Sequence, residues 1–315
     1  MSKQSGLGAR LFVGGYDLSG DISAVDTIGG MAALLDVTDI TQSAHSRITG
    51  LRDGSMSFTS FWDTANSVPV LNALPRTDVI ASFFAPPLAA GTAPTVACVN
   101  AKQVDYDPTR AADGALTMKT ACQGQGFGLE WCMPLTAGLR TDTAATDGPD
   151  LDCGAGFTTP SVPASGTAAA NASPLPATVV VTGGTVSNVV VNGVSVGTGD
   201  GTYTVPAGQS ITLTYSAAPT WTWALGSAWG AQGYLQVTGF AGTSVTVTVE
   251  HSADNSAWAT LLSFAAVTAA PNAQRVVVAN TTTVDRYLRV STSGTFSSAT
   301  FAVALARNPV AGVSF

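Results

Sequence analysis

Along residues 230–308, Val, Thr and aromatic residues recur in short runs, several of them alternating apolar with polar. Gly, Asn, Asp and Ser clusters separate the runs, the punctuation of an all-β region. The N-terminal half reads similarly. Ala9–Val13 predicts a strand and Gly14-Gly15 a tight turn. Residues 31–41 begin ambiguously and end strand-like, whereas His45–Asp53 is polar and turn-rich. Ser55–Trp62 alternates, which predicts a strand turning Met56, Phe58 and Phe61 inward. Asp63–Leu74 predicts the one short helix, with an Asp or Thr cap and Val70, Leu71 and Leu74 on one face, although Pro69 interrupts it. Further strands are predicted at Asp78–Phe84 (closed by Pro86-Pro87), Val96–Asp105, Leu116–Cys122 and Phe127–Leu135.

Residues 157–176 are rich in Pro, Ala, Ser and Thr without period, which is linker composition. Four short strands with glycine turns then run from Ala177 to Tyr215, and Pro219-Thr-Trp-Thr-Trp223 follows. They predict a small β-sandwich of immunoglobulin-like or related topology. Its core is marginal at this size, so Trp221 and Trp223 are expected to fill it or to lie at an interface, with sugar stacking the less favoured role.

Charged residues make up 10% of the 315-residue chain, against roughly 25% in ordinary soluble proteins. Between Gly154 and Val249 only Asp200 carries charge. A surface this poor in charge is suited to being covered by copies of itself, or to a Thr/Ser-rich β exterior in a salty or extracellular setting. The net charge of −7 argues against gripping nucleic acid, yet suits a wall past which DNA slides. No apolar run is long enough to span a membrane, and Met1–Gly6 leads into no signal-peptide core, so the expectation is a soluble chain made in the cytoplasm.

Residues with catalytic potential are sparse. His45 and His251 are the two histidines, neither placed with metal-ligand spacing, and no G-x-S-x-G elbow occurs. Gly124–Gly128 joins two predicted strands and opens no helix, so it is not a phosphate cradle. The acidic groups Asp105/Asp107 and Asp147/Asp150/Asp152 lack EF-hand spacing. Cys98, Cys122, Cys132 and Cys153 show no C-x-x-C pair; buried thiols are the favoured reading, with Cys122 and Cys132 placed to face each other across a hairpin. No enzyme, cofactor or metal is expected.

Four segments, Tyr234–Val237, His251–Asn255, Arg286–Arg289 and Gly294–Val303, resemble the C-terminal part of the major tail tube proteins of long-tailed (siphovirus-type) bacteriophages. The N-terminal order of strand, loop, long strand, helix and strands is similar too, through Gly128–Gly148. The resemblance implies a tail-tube-type β-sandwich or barrel from 1–153 and 227–315, interrupted by a linker and inserted Ig-like surface domain at 154–226. It implies hexameric rings stacked into a tube in the virion tail, made in the bacterial cytoplasm. Expected partners are other copies of the chain, tail proteins at the tube ends, and DNA passing without sequence-specific contact. On this reading the N-terminal segment, the 36–55 loop and Asn308–Phe315 bridge subunits, and Asp39, His45, Arg47, Arg52 and Asp53 are candidate inter-ring contacts. The insert projects outward and is a candidate for weak host-surface adhesion, with Trp221 and Trp223 as possible binding residues. The alternative is an adhesin, fibre or capsid-decoration protein binding glycans through Trp221, Trp223 or Trp229; a secreted polysaccharide-binding module is a third.

Overall fold

In the computed structural model, residues 5–73, 77–227 and 229–308 are described. The N-terminal part consists of β1 (Arg10–Val13), β2 (Tyr16–Asp17), β3 (Ile22–Asp36), β4 (Arg47–Phe61), α1 (Ser67–Ala73), β5 (Asp78–Phe84), β6 (Val96–Arg110), β7 (Leu116–Gly124), β8 (Glu130–Pro134), β9 (Arg140–Asp142) and β10 (Leu151–Asp152). The middle holds β11 (Ala168–Ala170), β12 (Ala177–Thr182), β13 (Thr185–Val191), β14 (Val194–Gly197), β15 (Gly201–Val205), β16 (Ser210–Ala217) and β17 (Thr220–Ser227). The C-terminal part adds β18 (Ala231–Ser252), β19 (Ala259–Ser263), β20 (Asn272–Val277), β21 (Val284–Asp285) and β22 (Tyr287–Arg307). The fold is all-β with one short helix, and no sheet of the described residues closes into a barrel.

Fourteen strands form one sheet system, eight of them along the path β19-β18-β22-β8-β6-β5-β1-β2, with β3, β4, β7, β9, β10 and β20 branching from it. Its backbone is the β18–β22 ribbon, paired from Ala231↔Arg307 to Ser252↔Tyr287. The Val/Thr alternation does what a period of two demands: Val245, Val247 and Val249 are fully buried. The short strand β8 joins the two halves. Val96–Cys98 of β6 pair with Glu130–Cys132, while Met133 and Pro134 pair with Leu305 and Ala304 of β22.

A buried amide reinforces this seam. Gln236 on β18 accepts from the Gly15 backbone N–H (2.8 Å) and donates to the Ile80 carbonyl (3.0 Å) and the Ser82 hydroxyl (2.9 Å). One side chain thereby satisfies groups from the β1–β2 turn and from β5. Gly14 and Gly15 make that turn with φ of 61° and 87°, a region that favours glycine.

The seven middle strands, joined by β21 of the C-terminal part, form two four-stranded sheets, β11-β16-β13-β14 and β15-β12-β17-β21. Their inward Val179, Val181, Val189, Ile211 and Leu213 belong to one core cluster with Leu235, Val247 and Phe301 of the large sheet. β17 also pairs with β21. The small sandwich is therefore welded to the C-terminal half by packing and by a shared sheet edge.

Several sequence expectations shift. β3 starts at Ile22 and ends at Asp36, so 37–41 are loop, whereas 47–53, read as turn-rich, are strand. Met56, Phe58 and Ser60 point inward and Phe61 is 52% exposed, because strand parity carries Phe61 to the opposite face. The helix begins only at Ser67, with Val70 and Leu71 buried; Leu74 lies outside the described residues. The linker contains β11. Cys122 does not face Cys132: it lies opposite Met56 and Gln103 in one cluster, whereas Cys132 lies opposite Val96 in another. All four cysteines are free and buried.

Replacing Gln236 by Leu strands the buried Gly15 N–H at the seam. The expected loss is about 1–3 kcal/mol of unfolding free energy, read from urea denaturation midpoints.

Candidate functional site

β3 and β4 pair from Ile22↔Ser60 to Asp36↔Arg47, making a two-stranded arm. Its inner half packs on the body: Met56 and Phe58 are buried, and β7 pairs with β4 from Ser55 to Phe61. Beyond Gly54 no third strand joins, and the described side chains are almost all exposed. Leu34, Leu35 and Ile48 are exposed there, Leu51 is 88% exposed, and Ile40 in the connecting loop is completely exposed. Leu35 stands directly across from Ile48. A lone two-stranded ladder is marginal in water, and exposed large apolar groups on it gain stability only from a further surface.

The arm leaves the body at a pair of glycines. Gly30 faces Gly54 across the ladder, and the loop after β7 crosses them, with Leu129 seated on both. A Cβ on Gly54 would lie 2.5 Å from the Leu129 backbone nitrogen, so only glycine allows the crossing. Two polar contacts lock the same place. Arg52 pairs with Glu130 at 2.7 Å, and Gln123 donates to the Asp53 carboxylate at 2.6 Å. Arg275 of β20 stacks 3.4 Å over the Phe127 ring and donates to Gln232 at 2.8 Å, tying the crossing loop to the C-terminal sheet. Burial pushes the Glu130 carboxyl above the ordinary glutamate range, outweighing the opposite pull of Arg52.

The five charged residues expected to act together separate into two groups. Asp39 and His45 lie in the tip loop, and Arg47 opens β4 beside it. Asp39 accepts from the Thr41 hydroxyl and amide, which hold its carboxyl below the usual range. His45 Nδ1 lies 2.8 Å from Asp36, whose carboxyl is likewise held low by the Thr38 hydroxyl and amide. Arg52 and Asp53 belong to the root, five and six positions from Arg47 and so roughly 17–20 Å along the strand. The apolar residues Leu34, Leu35, Ile40, Ile48 and Leu51 form the rest of the site, and sequence reasoning passed over them. With no buried face inside the subunit they show no alternation; adjacent leucines next to a charged loop were the available signal.

Trp221 and Trp223 are each 9% exposed, packed edge to face at 5.5 Å, with Phe157 5.9 Å from Trp223. Trp221 donates its indole N–H to the Pro160 carbonyl at 2.8 Å. Both rings are core, and a sugar has no open ring face there on which to stack. Asn308 is buried; residues 309–315 of the expected bridging tail lie outside the described residues. Among the described residues no group of three or more His, Cys, Asp or Glu side chains is placed to hold a metal ion, and no helix is long and apolar enough to cross a membrane.

No family model and no curated protein matches this chain. Among solved structures, a chain in the virion of a native gene transfer agent particle is 15% identical, with a TM-score of 0.34, over 41% of this chain and 98% of that one. A chain in the tail of an empty gene transfer agent particle, refined with C6 helical symmetry, is 15% identical, with a TM-score of 0.31, over 39% and 92%. The SPP1 Dit protein, described as a paradigm of the hub adsorption apparatus in phages infecting Gram-positive hosts, is 11% identical, with a TM-score of 0.29, over 95% and 99%. None of these likenesses is strong enough to carry a function.

Glu130 generates a pH prediction. A carboxyl raised in the folded state favours folding when protonated, so its contribution is full below about pH 4.3 and is lost as pH rises through the raised value. Glu130→Gln has no charge to desolvate and is expected to flatten that slope in urea midpoints measured across pH 4–7; an unchanged slope counts against the assignment.

Proposed function

We propose that this chain is a structural, non-enzymatic subunit of a bacteriophage tail, and specifically a tail tube subunit that assembles into stacked hexameric rings. The β3–β4 arm is the observation that carries the reading. Its root is pinned by glycine packing and an ion pair, while its outer half exposes six large aliphatic side chains, Leu34, Leu35, Val37, Ile40, Ile48 and Leu51. That combination suits a projection built to be completed by a neighbour. An arm received by a surface other than a second arm makes a heterologous contact, and heterologous contacts generate rings or stacks. The resemblance of residues 234–237, 251–255, 286–289 and 294–303 to tail tube proteins supports the sixfold form.

In this reading the tube is a passive conduit for DNA, and the net charge of −7 keeps phosphates from adhering to it. The small sandwich lies on the outside, since an inward insertion would obstruct the lumen. The proposed location is the virion tail.

Negative-stain electron microscopy of the purified chain is expected to show rings or hollow tubes with sixfold end views. Leu34→Ser with Leu51→Ser is expected to abolish them while shifting unfolding free energy by no more than about 0.5 kcal/mol, since both side chains are exposed. Wild-type monomers or compact trimers that never polymerise would overturn the tube reading in favour of an adhesin. Tubes that survive the double substitution would remove the arm from it.

A further inference from the structure

An apolar cleft of about 530 Å³ opens where the small sandwich meets the large sheet. Its walls include Trp131 of β8, Leu175 and Pro206 of the sandwich, Trp229, and Leu305 of β22. Trp131 is half exposed although its strand neighbour Cys132 is fully buried. Arg307 also lines the cleft, but its Nη1 and Nη2 donate to the backbone carbonyls of Val284 (2.8 Å) and Asp285 (2.6 Å), so its charge is committed to β21. What remains for an occupant is hydrophobic surface, in a volume within the range of ~300–1,000 Å³ typical of binding pockets.

The course of the chain selects that occupant. β22 ends in the wall of the cleft, and Asn308, the next residue, is fully buried there with its N–H donating to the Gly230 carbonyl at 3.1 Å. A chain bound for solvent leaves a domain from an exposed position, whereas this one is still inside the cleft at its last described residue. The sequence continues as Pro-Val-Ala-Gly-Val-Ser-Phe over 309–315, seven residues without a charge. In extended form Ala311, Val313 and Phe315 share one side. Seven extended residues reach up to about 24 Å, more than a cleft of this volume requires.

We propose that residues 309–315 seat in the Trp131–Trp229 cleft of their own chain, with Val313 and Phe315 as the apolar anchors. Attachment at Asn308 presents the segment to the cleft at a local concentration on the order of millimolar, which a separate apolar partner must exceed to displace it. The seated segment ties the small sandwich to the large sheet, because the cleft takes walls from both. The inference goes beyond the tail-subunit reading and does not depend on it. A segment that the tail tube resemblance gives to a neighbouring subunit is instead used within the chain.

Two readouts on the full chain test this. Ala207→Cys and Val313→Cys place thiols on the exposed cleft rim and in the segment, while the four native cysteines are buried. In dilute double variant a short bismaleimide is expected to join positions 207 and 313 within one chain, as identified by mass spectrometry of the digested monomer band. Neither single variant should give that product. A link found only between chains would assign the cleft to a neighbour's segment and overturn the proposal, as would no link at all. Seating, as opposed to proximity, is read by acrylamide quenching of tryptophan fluorescence. Val313→Asp with Phe315→Asp is expected to strengthen quenching and shift emission to the red, an effect lost when Trp131 and Trp229 are both replaced by Phe. Unchanged quenching would overturn the proposal even where linkage occurs. Neither readout requires tubes, so failure here leaves the tail-subunit reading to be judged by electron microscopy.

Discussion

Everything positioned in this molecule depends on a seam between sequence-distant halves, and Gln236 is its fastener. A fully buried primary amide is costly unless each of its groups is paired. Here both the oxygen and the nitrogen are used, and they are used on the β1–β2 turn and β5. The same side chain that demands partners therefore dictates how the N-terminal sheet sits on β18. β8 continues the join with a handful of ladder contacts to β6 on one side and β22 on the other. Hydrophobic packing fills the seam with Phe12, Phe84 and Tyr234, but packing alone tolerates sliding. Directional hydrogen bonds do not.

The arm inherits its direction from that seam. Leu129 and Glu130 lie at the start of β8, and these two residues hold Gly30, Gly54 and Arg52. Arg275 carries the constraint back to the C-terminal sheet through Phe127 and Gln232. A chain of close contacts thus runs from the buried core to the root of an exposed projection. A projection fixed at its root loses less conformational entropy on binding than a mobile one.

How much of this was legible in the sequence follows from where each residue finds its partners. Val245, Val247 and Val249 alternate because one face of β18 is buried within the chain, and the period of two announces it. Ser55–Phe61 was legible for the same reason, and the single error there, Phe61, came from extending the apolar set past its parity. The outer arm was not legible. Leu34, Leu35, Ile48 and Leu51 have no buried face in the subunit, so the one rule that reveals strands from sequence has nothing to report. The charged residues nearby drew attention instead, and they divide between root and tip. Gln236 was invisible for another reason: a glutamine within Tyr-Leu-Gln-Val carries no sign that its amide will meet residues some 220 positions away. The Trp131–Trp229 cleft, assembled from seven separate stretches of chain, is a property of tertiary packing alone.

The low charge of the middle region also becomes intelligible once the sandwich is seen to share its core with the large sheet. A small β-sandwich standing alone would have to stabilise itself with about 60 residues, close to the lower limit for an independent core. This one does not stand alone. Leu225 and Val284 join the two, β21 extends its sheet, and the Trp221–Trp223 pair fills the space between strand and linker. Its aromatic residues are therefore committed to structure, leaving Thr, Ser, Ala and Gly, with Val180, Val194 and Val196, to face outward. Such a surface has few charges to repel another copy and few exposed rings to attract a sugar. What it does offer is one wall of an apolar cleft at its junction with the large sheet, which makes the junction, not the outward face, the chemically distinctive part of the small sandwich.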